Sequence, residues 1–134
     1  VNTPVPDQMS AMVVLQDTLE EVLDLSRASV ILLNDKDGVL IARADSPSSS
    51  FDIDPWLATT FVNALEQFNK LQLGDTLSVT SEFDNVIIIQ FNLLPLIVTF
   101  CIKPQANIGL IYALFPQLLS RLQPIRNKLL SDFN

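Results

Sequence analysis

The sequence predicts an α+β domain in which helices cover both faces of a central sheet. The clearest evidence is a pair of adjoining apolar strands, Val86–Phe91 and Leu96–Ile102, in the second half of the chain. The first of them opens with four consecutive Val or Ile residues, so both of its faces are apolar. Such a strand needs a packing layer above and below it, and helical patterns elsewhere in the chain supply those layers.

Three segments place apolar residues at helical spacing. The first is Met12–Ser26, whose acidic residues share another face that we interpret as solvated. The second follows Asp54 as N-cap and Pro55 as the first helical residue. The third forms the C-terminal stripe, and Pro116 and Pro124 within it predict a kink or a break near one of them.

The remaining strands differ from the apolar pair in being short or half polar. Ser29–Leu33 and Val39–Arg43 predict a hairpin, since Gly38 supplies the positive φ that a tight turn needs. Thr76–Phe83 alternates apolar and polar residues, the pattern of an edge strand. With no proline and Glu82 as its one charge, it invites pairing with another chain, and an ordinary solvated edge is the alternative.

Composition limits the classes of function. A chain of 134 residues forms one domain, which we assign to residues 10–134 after a flexible N-terminal segment at 1–9. A net charge of −7 with eight scattered Lys and Arg residues argues against nucleic acid and against direct binding to an anionic membrane. An apolar fraction of 49% suggests that some apolar surface lies against another protein.

The residue types that most catalytic sites require are missing. The sequence has no histidine and three glycines, so it offers no His-dependent site and no phosphate-binding loop. Cys101 lies in an apolar strand, the setting of a buried small hydrophobe. We therefore predict that the chain is not an enzyme and holds no metal or cofactor. Ser46-Pro47 in a Ser-rich loop is a candidate phosphorylation site, with an ordinary surface loop as the alternative.

A family resemblance rests on four short blocks: Gln90-Phe91-Asn92, Leu94-Pro95-Leu96, Ala106-Asn107 and Gly109-Leu110-Ile111. In these residues and in its order of elements, the chain resembles the roadblock domain, a relative of the longin domain. Within that family it is similar to the MEK-partner subunits of Ragulator, an adaptor complex for MAPK and mTOR signalling. The resemblance implies a roadblock/longin-like αββαβββα fold with a five-stranded antiparallel sheet and helices on both faces.

The resemblance also implies obligate pairing with a second roadblock subunit. In that family the third strands join edge to edge and the second helices pack side by side. Carried over to this sequence, the implied partner-binding residues are Ala58, Val62, Leu65, Thr76, Leu77, Ser78, Val79 and Thr80.

The partners implied beyond this heterodimer are a lipid-anchored wrapping subunit, Rag GTPases and the kinases MEK and ERK. The implied location is the cytoplasmic face of the late endosome or lysosome, reached through a partner and without direct membrane insertion. Two alternatives remain open. One is a dynein-type roadblock light chain, and the other is a profilin- or PAS-like sensor of a small ligand.

Overall fold

The computed structural model describes residues 6–48 and 56–132 and confirms the predicted fold class. In those ranges, three helices and five strands follow one another in the predicted order. They are α1 (Pro6–Ser26), β1 (Val30–Asp35), β2 (Leu40–Asp45), α2 (Trp56–Asn69), β3 (Ser78–Glu82), β4 (Ile87–Leu93), β5 (Leu96–Ile102) and α3 (Ile108–Asp132).

The strands form one antiparallel sheet in the order β2-β1-β5-β4-β3. The central strand β5 pairs with β1 on one side and with β4 on the other, and all seven of its residues are buried. The prediction of a strand covered on both faces was made for Val86–Phe91, within which β4 begins at Ile87. It is confirmed there, since Ile89 and Gln90 on opposite faces of β4 are both buried and Ile88 is half-buried. The second apolar strand, β5, is buried throughout. Because β5 occupies the centre, β2 and β3 form the two edges of the sheet.

The helices lie in two layers, α1 and α3 on one face and α2 on the other. Alternate residues of β5 point to opposite faces. Val98 and Phe100 join the core beneath α1 and α3, whereas Ile97 packs with Phe61 beneath α2. The larger core is tightened by the ring of Phe91, whose centroid lies 3.8 Å from that of Phe115 in a stacked arrangement.

The helix boundaries differ from the predicted ones in two places. α1 begins at Pro6, so it extends into the segment that we predict as flexible, residues 1–9. α3 runs from Ile108 to Asp132 without a break at Pro116 or Pro124. Of the predicted kink or break, the break is therefore wrong, and the kink stays a prediction. Both prolines lie on the exposed side of a helix whose opposite stripe is buried in the larger core, and this packing offsets the two missing hydrogen bonds. The predicted cap at Asp54 and Pro55 lies outside the described residues.

Cys101 is fully buried on β5, among Val30 and Leu32. Burial raises the pKa of its thiol to about 12, because the apolar surroundings disfavour the thiolate. A thiol that stays protonated and buried is not a nucleophile at neutral pH, in agreement with the interpretation of this cysteine as a core residue.

The raised thiol pKa predicts a pH-dependent loss of stability. The unfolded thiol ionises near pH 9.0 and the folded one near 12, so between these values the unfolded state gives up a proton that the native state keeps. The free energy of unfolding should fall through that range. Replacing Cys101 by Ala removes this contribution, so the stability gap between wild type and C101A should shrink as pH rises. Urea unfolding at several pH values measures both, and parallel curves would contradict the prediction.

Candidate partner-binding surface

The two edges of the sheet are protected to different degrees. At the β2 edge, the side chain of Gln16 on α1 donates from Nε2 to the carbonyl of Arg43 over 2.9 Å. The guanidinium of Arg43 also pairs with the carboxylate of Asp45, with Nε and Oδ2 separated by 2.8 Å. Charged side chains and a helix side chain on the edge carbonyl discourage the addition of another strand.

Among the described residues, none protects the β3 edge in a comparable way. Asn92 N donates to the carbonyl of Leu77, and Phe83 N donates to that of Val86, so hydrogen-bonded pairs alternate along β3 and β4. In such a ladder the residues between those pairs direct their N–H and C=O groups away from β4. On β3 these are Ser78, Thr80 and Glu82. Their backbone groups are therefore free to pair with a further strand.

An apolar groove of about 340 Å³ lies beside this edge, and we call it the β3 groove. It lies between the end of α2 and the start of β3. Leu71 and Leu73 line it and are 61% and 84% exposed, and Leu77 next to it is 78% exposed. Large aliphatic side chains this exposed and this close together are typical of a surface that another protein covers. The lining residues are Phe68, Leu71, Leu73, Gly74, Asp75, Thr76, Ser78 and Val79.

The β3 strand is held in place from the α3 side. The hydroxyl of Tyr112 on α3 lies 3.2 Å from Ser78 Oγ and 3.3 Å from Thr80 Oγ1. The Tyr112 ring packs edge-on against Phe91, with 5.4 Å between the centroids. These contacts anchor an edge strand that has a neighbour on one side only, so that it is already extended before a partner arrives.

A second anchor holds the start of β3 against β4. Asn92 Nδ2 donates to the carbonyl of Thr76 over 2.8 Å, and Asn92 Oδ1 accepts from the backbone N–H of Leu94 at 3.2 Å. One half-buried side chain thus joins the segment entering β3 to the β4–β5 turn. Its position in the Gln90-Phe91-Asn92 block gives that block a structural role at the edge.

The structure brings together most of the residues that the resemblance implies. Val62 and Val79 pack against the same small cluster beneath α2, while Ser78 and Thr80 lie on the opposite face of β3. The remaining four residues form two groups. Thr76 and Leu77 precede the strand, and Ala58 and Leu65 are only 3% and 5% exposed because they face the sheet. Whether these residues contact a partner stays a prediction.

The predicted set omits the three large apolar residues that line the β3 groove, namely Phe68, Leu71 and Leu73. The signal for two of them is present in the sequence. Leu71, Leu73 and Leu77 surround Gly74 in a connecting segment that is otherwise polar, where exposed leucines are not needed for the core. Gly74 has a φ of +94°, a conformation that favours glycine and that turns the chain from α2 back towards β3.

A family model described as mitogen-activated protein kinase kinase 1 interacting matches residues 12–130. The chain belongs to this family. A Ragulator complex protein LAMTOR3 homolog of Drosophila melanogaster is 33% identical over 118 residues, covering 84% of this chain and 95% of that protein. The homolog of Dictyostelium discoideum is 29% identical, covering 87% and 96%. Human LAMTOR3 is 32% identical over 97 residues, covering 72% and 78%.

Several solved structures have a fold similar to that of this family member. MglB in a tetrameric arrangement superposes with a TM-score of 0.78 at 16% identity, covering 89% of this chain and 92% of MglB. A roadblock/LC7 domain from Streptomyces avermitilis gives 0.63 at 14%, covering 83% and 93%. Profilin II of Acanthamoeba castellanii gives 0.57 at 14%, covering 80% and 92%. At these identities the likeness shows the fold alone, and the roadblock resemblance is confirmed.

Neither a metal site nor a membrane-spanning helix is found among the described residues of this family member. Within the part of the chain that the structure describes, no group of three or more Cys, Asp or Glu side chains could hold a metal ion. None of the described helices combines the length and the hydropathy needed to cross a membrane.

The two hydrogen bonds of the Asn92 side chain predict a loss of stability when that side chain is removed. N92A should lower the free energy of unfolding by about 1–3 kcal/mol, since the carbonyl of Thr76 and the N–H of Leu94 lose a half-buried partner. Urea unfolding followed by circular dichroism measures the change. N63A on the exposed face of α2 is the matched control and should be nearly neutral. Equal effects of both changes would contradict the role of Asn92.

Proposed function

We propose that this chain is a non-enzymatic scaffold subunit of a Ragulator-type complex that forms a heterodimer with a second roadblock subunit. The observation that carries the proposal is the asymmetry between the two sheet edges. β2 is covered by Gln16 and by an ion pair, whereas β3 has free backbone groups beside an apolar groove. The relatives named as Ragulator complex proteins support the choice of complex.

Edge pairing at β3 would supply both direction and register. Ser78, Thr80 and Glu82 can each exchange an N–H and a C=O group with a partner strand. Each hydrogen bond contributes about 0.5–1.5 kcal/mol net. Burial of the leucines around the β3 groove would add about 25 cal/mol per Å² of apolar area, before the cost of association. The partner-binding set that we propose is therefore Val62, Thr76, Leu77, Ser78, Val79 and Thr80, extended by Phe68, Leu71 and Leu73.

The further partners follow from the family and not from a contact in this chain. We propose that the heterodimer is wrapped by a lipid-anchored subunit, docks Rag GTPases and recruits components of the MAPK pathway such as MEK and ERK. The place of assembly would be the late endosome or lysosome, reached through the anchored subunit. Affinity purification from the source cell with identification of stoichiometric partners tests this assignment. Dynein intermediate chains in place of Ragulator subunits would favour the light-chain alternative.

A proline in the β3 edge should prevent pairing and spare the monomer. The N–H of Thr80 points away from β4, so T80P removes a group that a partner needs and that the sheet does not use. T80P also removes the contact between the Thr80 hydroxyl and Tyr112, but the Ser78 hydroxyl keeps the parallel contact that holds β3. The chain purified alone should self-associate through the exposed edge. We expect T80P to weaken that association at least about tenfold in analytical ultracentrifugation.

The matched control for this proline is placed at the opposite edge. R43P on β2 also falls between hydrogen-bonded pairs, so it removes an outward N–H from the edge that we propose to be unused. Its self-association should match that of the wild type. If R43P dissociates the chain and T80P does not, the assignment of the pairing edge is wrong.

Charges in the β3 groove should have the same effect through a different interaction. Lysine in place of Leu73 and Leu77 leaves the core intact, because both side chains are mostly exposed, but it would bury two cations at the interface. We expect L73K/L77K to reduce capture of the second roadblock subunit at least about tenfold. V39K/L40K at the tip of the β1–β2 hairpin is the control, since Val39 and Leu40 are 58% and 50% exposed. Unchanged capture by L73K/L77K would contradict a role for the groove.

A further inference from the structure

A second concave surface lies at the other end of the sheet, and we call it the serine cleft. It has a volume of about 290 Å³ and is formed where α1 ends, β1 begins, and β2 and β5 end. Unlike the β3 groove it is lined by cations and hydroxyls. Its lining residues are Arg27, Ala28, Ser29, Ser46, Ser48, Lys103, Gln105 and Ala106.

The charge of the serine cleft is opposite to that of the protein. The chain has a net charge of −7, yet Arg27 and Lys103 both line the cleft and no carboxylate does. Among the described residues, Arg43 forms an ion pair with Asp45, whereas neither Arg27 nor Lys103 forms an ion pair with a carboxylate. Two unneutralised cations beside one cavity favour an anion there.

The frame around these cations is rigid. Ser29 N donates to the carbonyl of Cys101 over 2.8 Å, and Ser46 N donates to the carbonyl of Ser29 over 2.8 Å. Ser29 is only 4% exposed, and it lines the cleft. Ala106 N donates to the carbonyl of Lys103, which holds the second cation next to the start of α3. The cleft therefore offers two cations and the residue Ser29 on a backbone that is held by hydrogen bonds.

The chain itself carries candidate phosphate acceptors at this place. Ser46 Oγ and Ser48 Oγ lie 3.2 Å apart, and both residues line the cleft. Ser48 is exposed and open to a kinase, whereas Ser46 is half-buried at the end of β2. A phosphate on serine brings about −1.5 to −2 charges and three acceptor oxygens, which suit guanidinium, ammonium and hydroxyl donors.

We propose that Ser48 is a phosphorylation site and that the serine cleft holds its phosphate through Arg27 and Lys103. A serine kinase would transfer the γ-phosphoryl group of ATP to Ser48 Oγ. The new P–O bond forms as the bond to the departing ADP breaks, and the hydroxyl proton passes to the kinase. Because Ser48 borders the cleft, its phosphate binds within the chain and at high effective concentration. This site is separate from the β3 edge and does not depend on the proposed heterodimer.

The test uses the whole chain with phosphoserine incorporated at position 48, by suppression of an amber codon. ³¹P NMR follows the second ionisation of the phosphate as the pH is varied. Cations that contact the phosphate favour its dianion, so this pKa should fall by about half a unit or more relative to the same chain unfolded in urea. R27A/K103A should abolish the shift. K70A removes an exposed cation from the end of α2 and should leave the shift unchanged.

A second experiment distinguishes binding of the phosphate on Ser48 from binding of free phosphate. Inorganic phosphate is titrated into the unmodified chain and into R27A/K103A. The backbone amide shifts of Ser29 and Ala106, which both line the cleft, are followed in each protein. Binding of free phosphate with no shift for phosphoserine 48 would show a phosphate site that Ser48 does not serve, and it would overturn the role of Ser48. If neither experiment depends on Arg27 and Lys103, the phosphate-binding cleft itself is wrong.

Discussion

The pairing of β5 with β1 and β4 along its whole length is the interaction on which the rest of the structure depends. All seven residues of β5 are buried, because α2 covers one face and α1 with α3 covers the other. A strand buried on every side has to be central, and its position sends β2 and β3 to the edges. The most apolar segment therefore decides where the more polar strands can meet another molecule.

The two edges left by this arrangement are not equivalent, and their difference is local. At β2 the carbonyl of Arg43 already has a partner in Gln16, and an ion pair lies on the strand. At β3 the hydroxyl of Tyr112 supports the strand from one face and leaves its outer backbone groups free. Tyr112 therefore holds β3 in an extended conformation without using the backbone groups that a partner strand would pair with.

Much of the fold can be predicted from the sequence because the apolar patterns are strong. The bounds of β5 agree with prediction at both ends, and the order of all the elements was readable from spacing alone. The break expected in α3 did not occur, because a rule about proline is local whereas the buried stripe that includes Leu118 and Leu122 is held by the whole core. For the candidate site, alternation identified β3 as an edge strand.

The sequence by itself determined which residues avoid water, and hence a single sheet that helices cover on both faces, since apolar burial dominates the energetics of a chain this size. Only the tertiary structure decided what each edge offers. Gln16 and Arg43 are 27 residues apart, and Tyr112 and Ser78 are 34 apart. The exposure of Leu73 and the burial of Ala58 likewise depend on how α2 lies on the sheet. Contacts between residues far apart in the chain leave no periodic pattern in the sequence, so they can be identified only from the folded structure.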